Sequence, residues 1–446
     1  MTKTVLVVSY FFPPVGGAGV QRVTKFVKYL PDFDWQPVIL TVENPSVPLF
    51  DESLLDDVPS TVIVHKAKTL EPSYGAKQAV SAASESGSQG FNLKASAKGL
   101  LRKIATMLLQ PDPQVLWLPS AYRKASKVLK EHPPAAIFAS APPFSSLLLG
   151  AMLARKFKLP LILDFRDEWD ISNSVWENKQ SGRISLALQK RMQNYALKSA
   201  TAIIATTNLS ADALQEKVHA LKSKALVRCI YNGYDAADFP VAEAGIKRAE
   251  DRYELSYVGT LWNLTSIAPL VKAIALLSVS RPDLAKKLRL VLAGRRTAEQ
   301  ESILAEVQHS PVELELHGYL DHGESVALIR RSHSLVVLLS DLDLARRVVP
   351  GKIFEYFATA NSILAIAPKG EVWNLLRDYP LAQCAEPSNP QSIADYLIAS
   401  LSDFSQQIER TPAGFDASRY ERRQLTAELA DVFEKSIAST YSAGDK

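Results

Sequence analysis

Val349-Pro350-Gly351-Lys352-Ile353-Phe354-Glu355-Tyr356-Phe357-Ala358 runs on into Ser362-Ile363-Leu364-Ala365-Ile366. Pro350 and Gly351 break a loop ahead of a helical segment, and the apolar run after it reads as a buried strand. Lys352 and Glu355 stand three apart on one face of that helix, beside its N-terminus. A helix start with a lysine is a ready phosphate site. A glutamate one turn further in can accept hydrogen bonds from a ribose diol, so the pair suits a nucleoside diphosphate. The same spacing is also that of an ordinary surface ion pair worth about 0.2–0.5 kcal/mol. The rest of the chain has to decide between them.

Outward from this stretch, apolar runs alternate with helical periodicity almost throughout. The strand-like runs are Val5–Ser9, Val38–Val42, Ala136–Ala139, Leu161–Asp164, Ala202–Ala205 and Val227–Tyr231, then Leu255–Val258, Leu288–Ala293, Glu313–Leu316, Leu335–Leu339 and Ile363–Ala367. Helical patterns fall between them, among them Val20–Leu30, Phe144–Phe157, Ser185–Lys198, Ile267–Leu277 and Ser325–Arg331. Continuous apolar strands separated by helices predict an α/β chain with parallel sheets covered on both faces. The aperiodic polar segment Asp235–Arg252 separates the two series, and Gly75–Gly90, rich in Ala, Ser, Gly and Gln, reads as a loop. A last helix is expected over about Tyr420–Thr440.

A chain of 446 residues with 47% hydrophobic and 22% charged residues fits two ordinary globular domains. Cys229 and Cys384 are too few and too isolated for a disulfide framework or a zinc site, which fits a reducing, cytoplasmic setting. The apolar start Val5–Phe12 runs into Pro13-Pro14 and a glycine cluster, so it reads as a first strand and not as a signal peptide. The uncharged run Ala135–Ala154 is split by Pro142-Pro143 into strand and helix, which argues against a membrane span. Net charge is +4, yet residues 91–131 hold eight Lys/Arg against Asp112 and Glu131.

Four constellations could carry chemistry. Phe12-Pro13-Pro14-Val15-Gly16-Gly17-Ala18-Gly19-Val20-Gln21-Arg22 is a glycine-rich turn after the first strand. Arg22 stands where the third glycine of a dinucleotide fingerprint belongs, so an NAD site is disfavoured against a phosphate-facing loop or a plain turn. Ser140-Ala141-Pro142-Pro143-Phe144-Ser145-Ser146 is a second strand-end loop, in which Ser145 could serve as a helix N-cap. Leu163-Asp164-Phe165-Arg166-Asp167-Glu168-Trp169-Asp170 gathers acids around one arginine, either as a structural network or for catalysis. In the second half Gly259, Gly294 and Gly318 each follow a strand, with Arg295 and Tyr319 beside them.

The sequence around Lys352 and Glu355 resembles the donor-site helix of GT-B glycosyltransferases, specifically the family 4-like enzymes of polysaccharide and lipid-linked glycan assembly. Asp164-Phe165-Arg166-Asp167-Glu168-Trp169 is similar to the Asp-x-Arg-Asp-x-Trp pattern of the same group. The resemblance extends over nearly the full chain. It implies two Rossmann-like parallel-sheet domains facing a central cleft, with an acceptor-side domain over residues 1–240 and a nucleotide-sugar domain over 241–417. Residues 418–446 would form a helix returning to the first domain. Donor binding would fall to Lys352, Glu355, Gly259, Gly294, Arg295, Gly318, Tyr319 and Gly351. Gly16, Gly17, Gly19 and Arg22 would form an acceptor or phosphate loop. Asp167 would orient an acceptor hydroxyl, with Arg166 and Asp164 holding it in place.

The implied activity is transfer of a sugar from a UDP-, GDP- or ADP-sugar to a glycan or polyprenyl-linked glycan, with retention, and with no metal, cofactor or nucleic acid required. A sugar-nucleotide epimerase of the same fold and a non-catalytic nucleotide-sugar-binding protein stay open beside it. Two positions depart from the group's pattern. Arg347 stands where a second glutamate is usual, and Thr260-Leu261-Trp262-Asn263 follows Gly259 without the usual basic residue. Finally, Asn92–Leu109 read as a helix has an apolar face with Lys94, Lys98 and Arg102 alongside. That pattern suits either a peripheral contact with the inner face of a membrane or a core-packed helix with a solvated basic side.

Overall fold

The computed structural model describes residues 2–75, 109–175, 182–239, 248–342, 344–408 and 410–442. The sequence readings on Gly75–Gly90 and on Asn92–Leu109 therefore fall almost wholly outside the described residues, as does the middle of the segment Asp235–Arg252. The chain divides into two compact units, Met1–Tyr231 with Arg422–Lys446, and Asn232–Glu421. Each is an α/β unit around an all-parallel sheet, as the alternation of apolar runs and helical patterns predicts.

The first unit holds β1 (Lys3–Val8), α1 (Ala18–Tyr29), β2 (Trp35–Val42), β3 (Ile63–Ala67), α2 (Leu118–Glu131), β4 (Ala136–Ala141) and α3 (Ser145–Phe157). There follow β5 (Leu161–Phe165), α4 (Trp169–Val175), α5 (Arg183–Ser199), β6 (Ala202–Ala205), α6 (Asn208–Ala220) and β7 (Leu226–Cys229). Strand order is β3-β2-β1-β4-β5-β6-β7. The direction of winding reverses between β1 and β4, so the loops leaving these two strands open side by side at their carboxyl ends, where doubly wound sheets bind ligands. The run Ala135–Ala154 is β4 plus most of α3, and its place in the sheet core explains its lack of charge.

The second unit holds β8 (Tyr253–Val258), α7 (Ala268–Ser280), α8 (Pro282–Ala285), β9 (Leu288–Ala293), α9 (Ala298–Leu304), β10 (Glu313–His317) and α10 (His322–Arg331). It continues through β11 (Ser334–Leu338), α11 (Lys352–Thr359), β12 (Ser362–Ile366), α12 (Glu371–Leu376), β13 (Ala382–Ala385) and α13 (Pro390–Ser405). The order β10-β9-β8-β11-β12-β13 again reverses, here between β8 and β11. Among the described residues one helical stretch, Asn263–Ser280, is long and apolar enough to cross a membrane. Its Leu270, Val271, Ala273, Ile274 and Leu277 lie in the second unit's core.

A final helix, α14 (Arg422–Ser442), belongs to the first unit. Leu425, Leu429, Ala430, Val432 and Phe433 enter the core face formed by Val5, Val7, Phe26, Ile39 and Phe138. The Phe433 ring meets Trp35 at 4.9 Å and Phe138 at 5.8 Å between centroids. A helix contributing this much buried apolar surface is part of the unit's fold and not an appendage.

Candidate functional site

In the first unit, the three strand-end motifs read from sequence converge at the carboxyl ends of β1, β4 and β5. The loop after β1 is pinned from below, with Gly16 N–H donating to Leu49 O at 3.1 Å and Asp51 N–H to Pro14 O at 2.8 Å. A Cβ on Gly16 would stand 2.9 Å from the Leu49 side chain, so glycine here allows that packing. Gly17 caps α1 with φ +102°, a conformation that favours glycine, and open space surrounds it. The guanidinium of Arg166 lies over Gly19 and donates to its carbonyl. A Cβ at Gly19 would approach Arg166 Nη1 to 2.9 Å.

Arg22 is placed otherwise than a phosphate ligand needs. It is 1% exposed and paired with the fully buried Asp164, Nη2 to Oδ1 at 2.9 Å and Nε to both oxygens at 3.2 Å. Nη1 donates to Tyr231 O at 2.8 Å and Nη2 to Ile230 O at 3.0 Å, and Ser140 Oγ donates to Asp164 Oδ2 at 2.7 Å. The pair joins β1's following helix to β4, β5 and the end of β7. Asp164 thus holds Arg22 in place and makes no hydrogen bond to Asp167.

Asp167 is more open to solvent than Arg22, Asp164 or Arg166. Arg166 Nε stands 3.5 Å from its Oδ2, and about a quarter of its side chain (26%) reaches solvent. The carboxylate is otherwise recessed, and desolvation raises its pKa against the opposing pull of Arg166. A partly accessible carboxylate beside an arginine can hold a hydroxyl group in position. Ser145 does not cap its own helix. Its Oγ donates to Asp112 Oδ1 at 2.6 Å and its N–H to Oδ2 at 3.1 Å, so the cap comes from a residue 33 positions earlier. Burial pushes Asp112 up to about 6, and the bonds from Ser145 hold it back from rising further.

In the second unit, Gly259, Gly294 and Gly318 end the adjacent strands β8, β9 and β10 and are linked in a row. Gly259 N–H donates to Ala293 O and Gly294 N–H to Gly318 O, both at 2.8 Å. Gly294 has φ +128°, and a Cβ there would lie 2.1 Å from Gly259 O, which leaves room for glycine alone. Arg296 ties this edge together, donating to His317 O at 2.7 Å and Gly294 O at 3.1 Å and pairing with Glu301 at 2.7 Å. Arg295 and Tyr319 are both exposed beside it.

Across the winding reversal from β8, the loop after β11 leads through Pro350 and Gly351 into α11. Ile353, Phe354, Tyr356 and Phe357 bury one side of this helix. Phe357 packs on Phe415 at 4.8 Å and Tyr420 at 5.3 Å. That aromatic anchor leaves Lys352 and Glu355 on the other side, 3.5 Å apart and 33% and 14% exposed. Glu355 is therefore recessed, unlike a partner in an ordinary surface ion pair.

Sequence reading missed a second pair beside them. His322 Nε2 lies 3.0 Å from Asp238 Oδ2, and this bond raises the imidazole pKa over the opposing effect of desolvation. Glu355 raises it further and Lys352 lowers it, so His322 stands within electrostatic reach of both. The Asp321 side chain and Glu324 form a capping box that starts α10 at His322. That Asp-x-x-Glu signature was the available sign that the helix begins three residues before Ser325.

Residues 17–233 match the family model of the Glycosyl transferase 4-like domain. Just under half of the chain is thus a glycosyl transferase 4-like domain, and its two units have the fold of GT-B glycosyltransferases. Among solved structures it is similar to Anabaena Alr3699/HepE in complex with UDP and glucose, with TM-score 0.58 and 14% identity over 97% of this chain and 99% of that one. It is also similar to WaaG, a glycosyltransferase involved in lipopolysaccharide biosynthesis (TM-score 0.56, 10% identity, 96% and 99% covered). A third is the UDP-forming α,α-trehalose-phosphate synthase from Burkholderia vietnamiensis (TM-score 0.56, 12% identity, 99% of each chain). Among curated proteins, no sequence matches this chain.

Proposed function

We propose that this glycosyltransferase binds a nucleotide-sugar donor, UDP-linked in the first instance, on its second unit. The observation that carries this reading is the recessed Lys352/Glu355 pair at the start of α11, beside the β8–β11 reversal and next to His322. Lys352 and the first-turn amides of α11 would meet the diphosphate, and Glu355 would accept from the ribose diol. The glycine row Gly259, Gly294 and Gly318, with Arg295 and Tyr319, would give the donor close approach to backbone. UDP in the HepE complex supports the choice of nucleotide for the first trials.

The acceptor, a glycan or a polyprenyl-linked glycan, would be received by the first unit at the Gly16–Gly19 loop and Asp167. Asp167 and Arg166 would orient the attacking hydroxyl. The hydroxyl would bond to the anomeric carbon on the face from which the diphosphate departs, and the departing diphosphate would take the hydroxyl's proton, so retention would need no protein base and no metal. Lys352 would stabilise charge building on the leaving group.

Calorimetric titration with UDP-, GDP- and ADP-sugars tests the donor assignment. Losing a charge-assisted bond costs about 1.5–3 kcal/mol, so Lys352→Ala and Glu355→Ala should each weaken the preferred donor about 10- to 100-fold. Unchanged affinity in both variants would overturn the assignment. Release of free nucleotide that depends on added acceptor, and vanishes in Asp167→Asn with donor affinity retained, tests the acceptor half.

A further inference from the structure

Beside the donor residues of the second unit, the local charge depends on one proton. His322 Nε2 and Asp238 Oδ2 are 3.0 Å apart, with 26% and 20% of their side chains open to solvent. Helix α10, which starts at His322, packs against α11, which starts at Lys352. Two recessed pairs, His322/Asp238 and Lys352/Glu355, therefore lie within electrostatic reach of each other.

Neither side of the His322–Asp238 bond needs that bond to stay in place. Helix α10 is started by its own capping box, with Glu324 N–H donating to Asp321 Oδ1 at 2.8 Å and Asp321 N–H to Glu324 Oε2 at 3.1 Å. The Ala236–Asp238 turn is held by Asp235, whose carboxylate accepts from Ala237 N–H at 3.1 Å. The Tyr234 and Phe239 rings, edge to face at 5.9 Å, fasten its two ends. What the bond does instead is govern the proton on the imidazole. Asp238 and Glu355 favour the charged form, and Lys352 opposes it. On its own helix Asp321 and Glu324 are engaged in the capping box, and from β8 Glu254 meets Arg331, 3.6 Å away at the helix's other end.

With a neutral imidazole the four side chains carry one net negative charge, and with an imidazolium they are balanced. The diphosphate of a nucleotide sugar is anionic, so the first state repels it and the second does not. Thr260-Leu261-Trp262-Asn263, after Gly259, brings no basic residue to offset that repulsion. We propose that His322 is the proton-dependent cation of the donor site, and that a nucleotide sugar binds best to the protein with this imidazole charged. This role rests on the donor assignment to Lys352 and Glu355.

Calorimetric titration of the full chain with UDP-, GDP- and ADP-glucose between pH 6 and pH 8.5, at fixed ionic strength, tests it. These donors lack the terminal phosphate that would itself titrate near pH 6, so the protein supplies the pH dependence. The donor that binds should do so about tenfold more weakly at pH 8.5 than at pH 6, through a midpoint above about 6.5. His322→Gln should bind at the parent's alkaline level at every pH. Asp238→Asn should move the midpoint to lower pH and bind no more weakly than the parent at pH 8.5, an outcome that damage to the fold would not give. His317→Gln should keep the parent's profile. Circular dichroism at both ends of the range confirms that the variants are folded. Four results would overturn this role alone, with Lys352→Ala still weakening the donor: a parent affinity constant with pH, a dependence kept in His322→Gln, a dependence lost in His317→Gln instead, or an Asp238→Asn protein weakened equally at both ends. No binding of any of the three donors, or binding unchanged in both Lys352→Ala and Glu355→Ala, would overturn the donor assignment as well.

Discussion

Replacing Arg22 by Met removes a guanidinium from beside a carboxylate with no solvent exposure. Asp164 would keep Ser140 Oγ as its one hydrogen-bond donor among the described residues, and the carbonyls of Ile230 and Tyr231 would lose the donors Arg22 supplies. Breaking a buried ion pair by removing one partner costs about 3–5 kcal/mol, because the remaining charge is left uncompensated. Each carbonyl adds up to about 1 kcal/mol. A loss of about 4–6 kcal/mol is a large part of the stability of an ordinary domain. Asp164→Leu alone should also cost several kcal/mol, since it buries an unpaired guanidinium.

The double variant Arg22→Met/Asp164→Leu removes both charges together. It should be less destabilised than the sum of the two by about 2–3 kcal/mol. Two units need not unfold as one, so a single spectroscopic midpoint is a poor reporter. Hydrogen exchange read peptide by peptide over β1, β4 and β5 follows the first unit by itself, while peptides of β8 and β11 provide the internal control. Additive losses, or an Arg22→Met protein as stable as the parent, would refute the structural role. A stable Arg22→Met protein that bound donor or acceptor poorly would return Arg22 to the ligand.

Gly294→Ala should destabilise the second unit by about 2 kcal/mol or more, because the methyl would stand 2.1 Å from Gly259 O at a φ of +128°; denaturant titration with β9 exchange reads this. His333 is held low, at about 4, mainly by burial, and its Nδ1 accepts the Glu254 N–H at 3.0 Å. Its stabilising effect is thus complete above about pH 6.5 and lost as pH falls towards 4, at no more than about 1.4 kcal/mol per pH unit, and His333→Gln should flatten that acid limb of the stability profile. His322 runs the other way: its raised pKa gives a contribution present below about pH 6.5 and lost as pH rises through the raised value, so Asp238→Asn should remove a loss of second-unit stability seen above pH 6.5.

The two-sheet α/β fold could be read from the chain because strands buried on both faces are uninterrupted apolar runs, as in Leu288–Ala293 and Ala202–Ala205. The two strands missed, β3 and β13, both lie at sheet edges. Ile63–Ala67 and Ala382–Ala385 are short and half exposed, so His65, Lys66 and Gln383 break the apolar signal. Local placements were equally legible, such as Lys352 and Glu355 on one helix face and the glycines at the strand ends. Partnerships across the sequence were not. Arg22 and Asp164 are 142 positions apart, and Asp238 and His322 are 84 apart, so the same arginine read as a phosphate ligand proves to be a buried counter-ion. Ser145 failed as a cap for the same reason, since its capping acid lies outside its own loop.

The departure at Arg347 gains a physical setting from the neighbouring backbone. Ala345–Arg347 form a short turn, and a Cβ on Gly370 would lie 2.3 Å from Arg346 O, so the loop that carries Arg347 is fastened to the start of α12. A loop held this closely does not adapt freely to a different side chain. Arg347, half-buried five residues before Lys352, puts a positive charge at the position where the resemblance expects a carboxylate. A carboxylate there would accept from sugar hydroxyls; a guanidinium donates only. Sugar acids and sugars bearing acceptor groups should accordingly gain on neutral hexoses in this protein. Arg347→Glu should reverse that preference in a donor competition assay while leaving the nucleoside diphosphate itself bound as before. If the variant loses the nucleoside diphosphate too, Arg347 acts on the phosphates and the specificity argument fails.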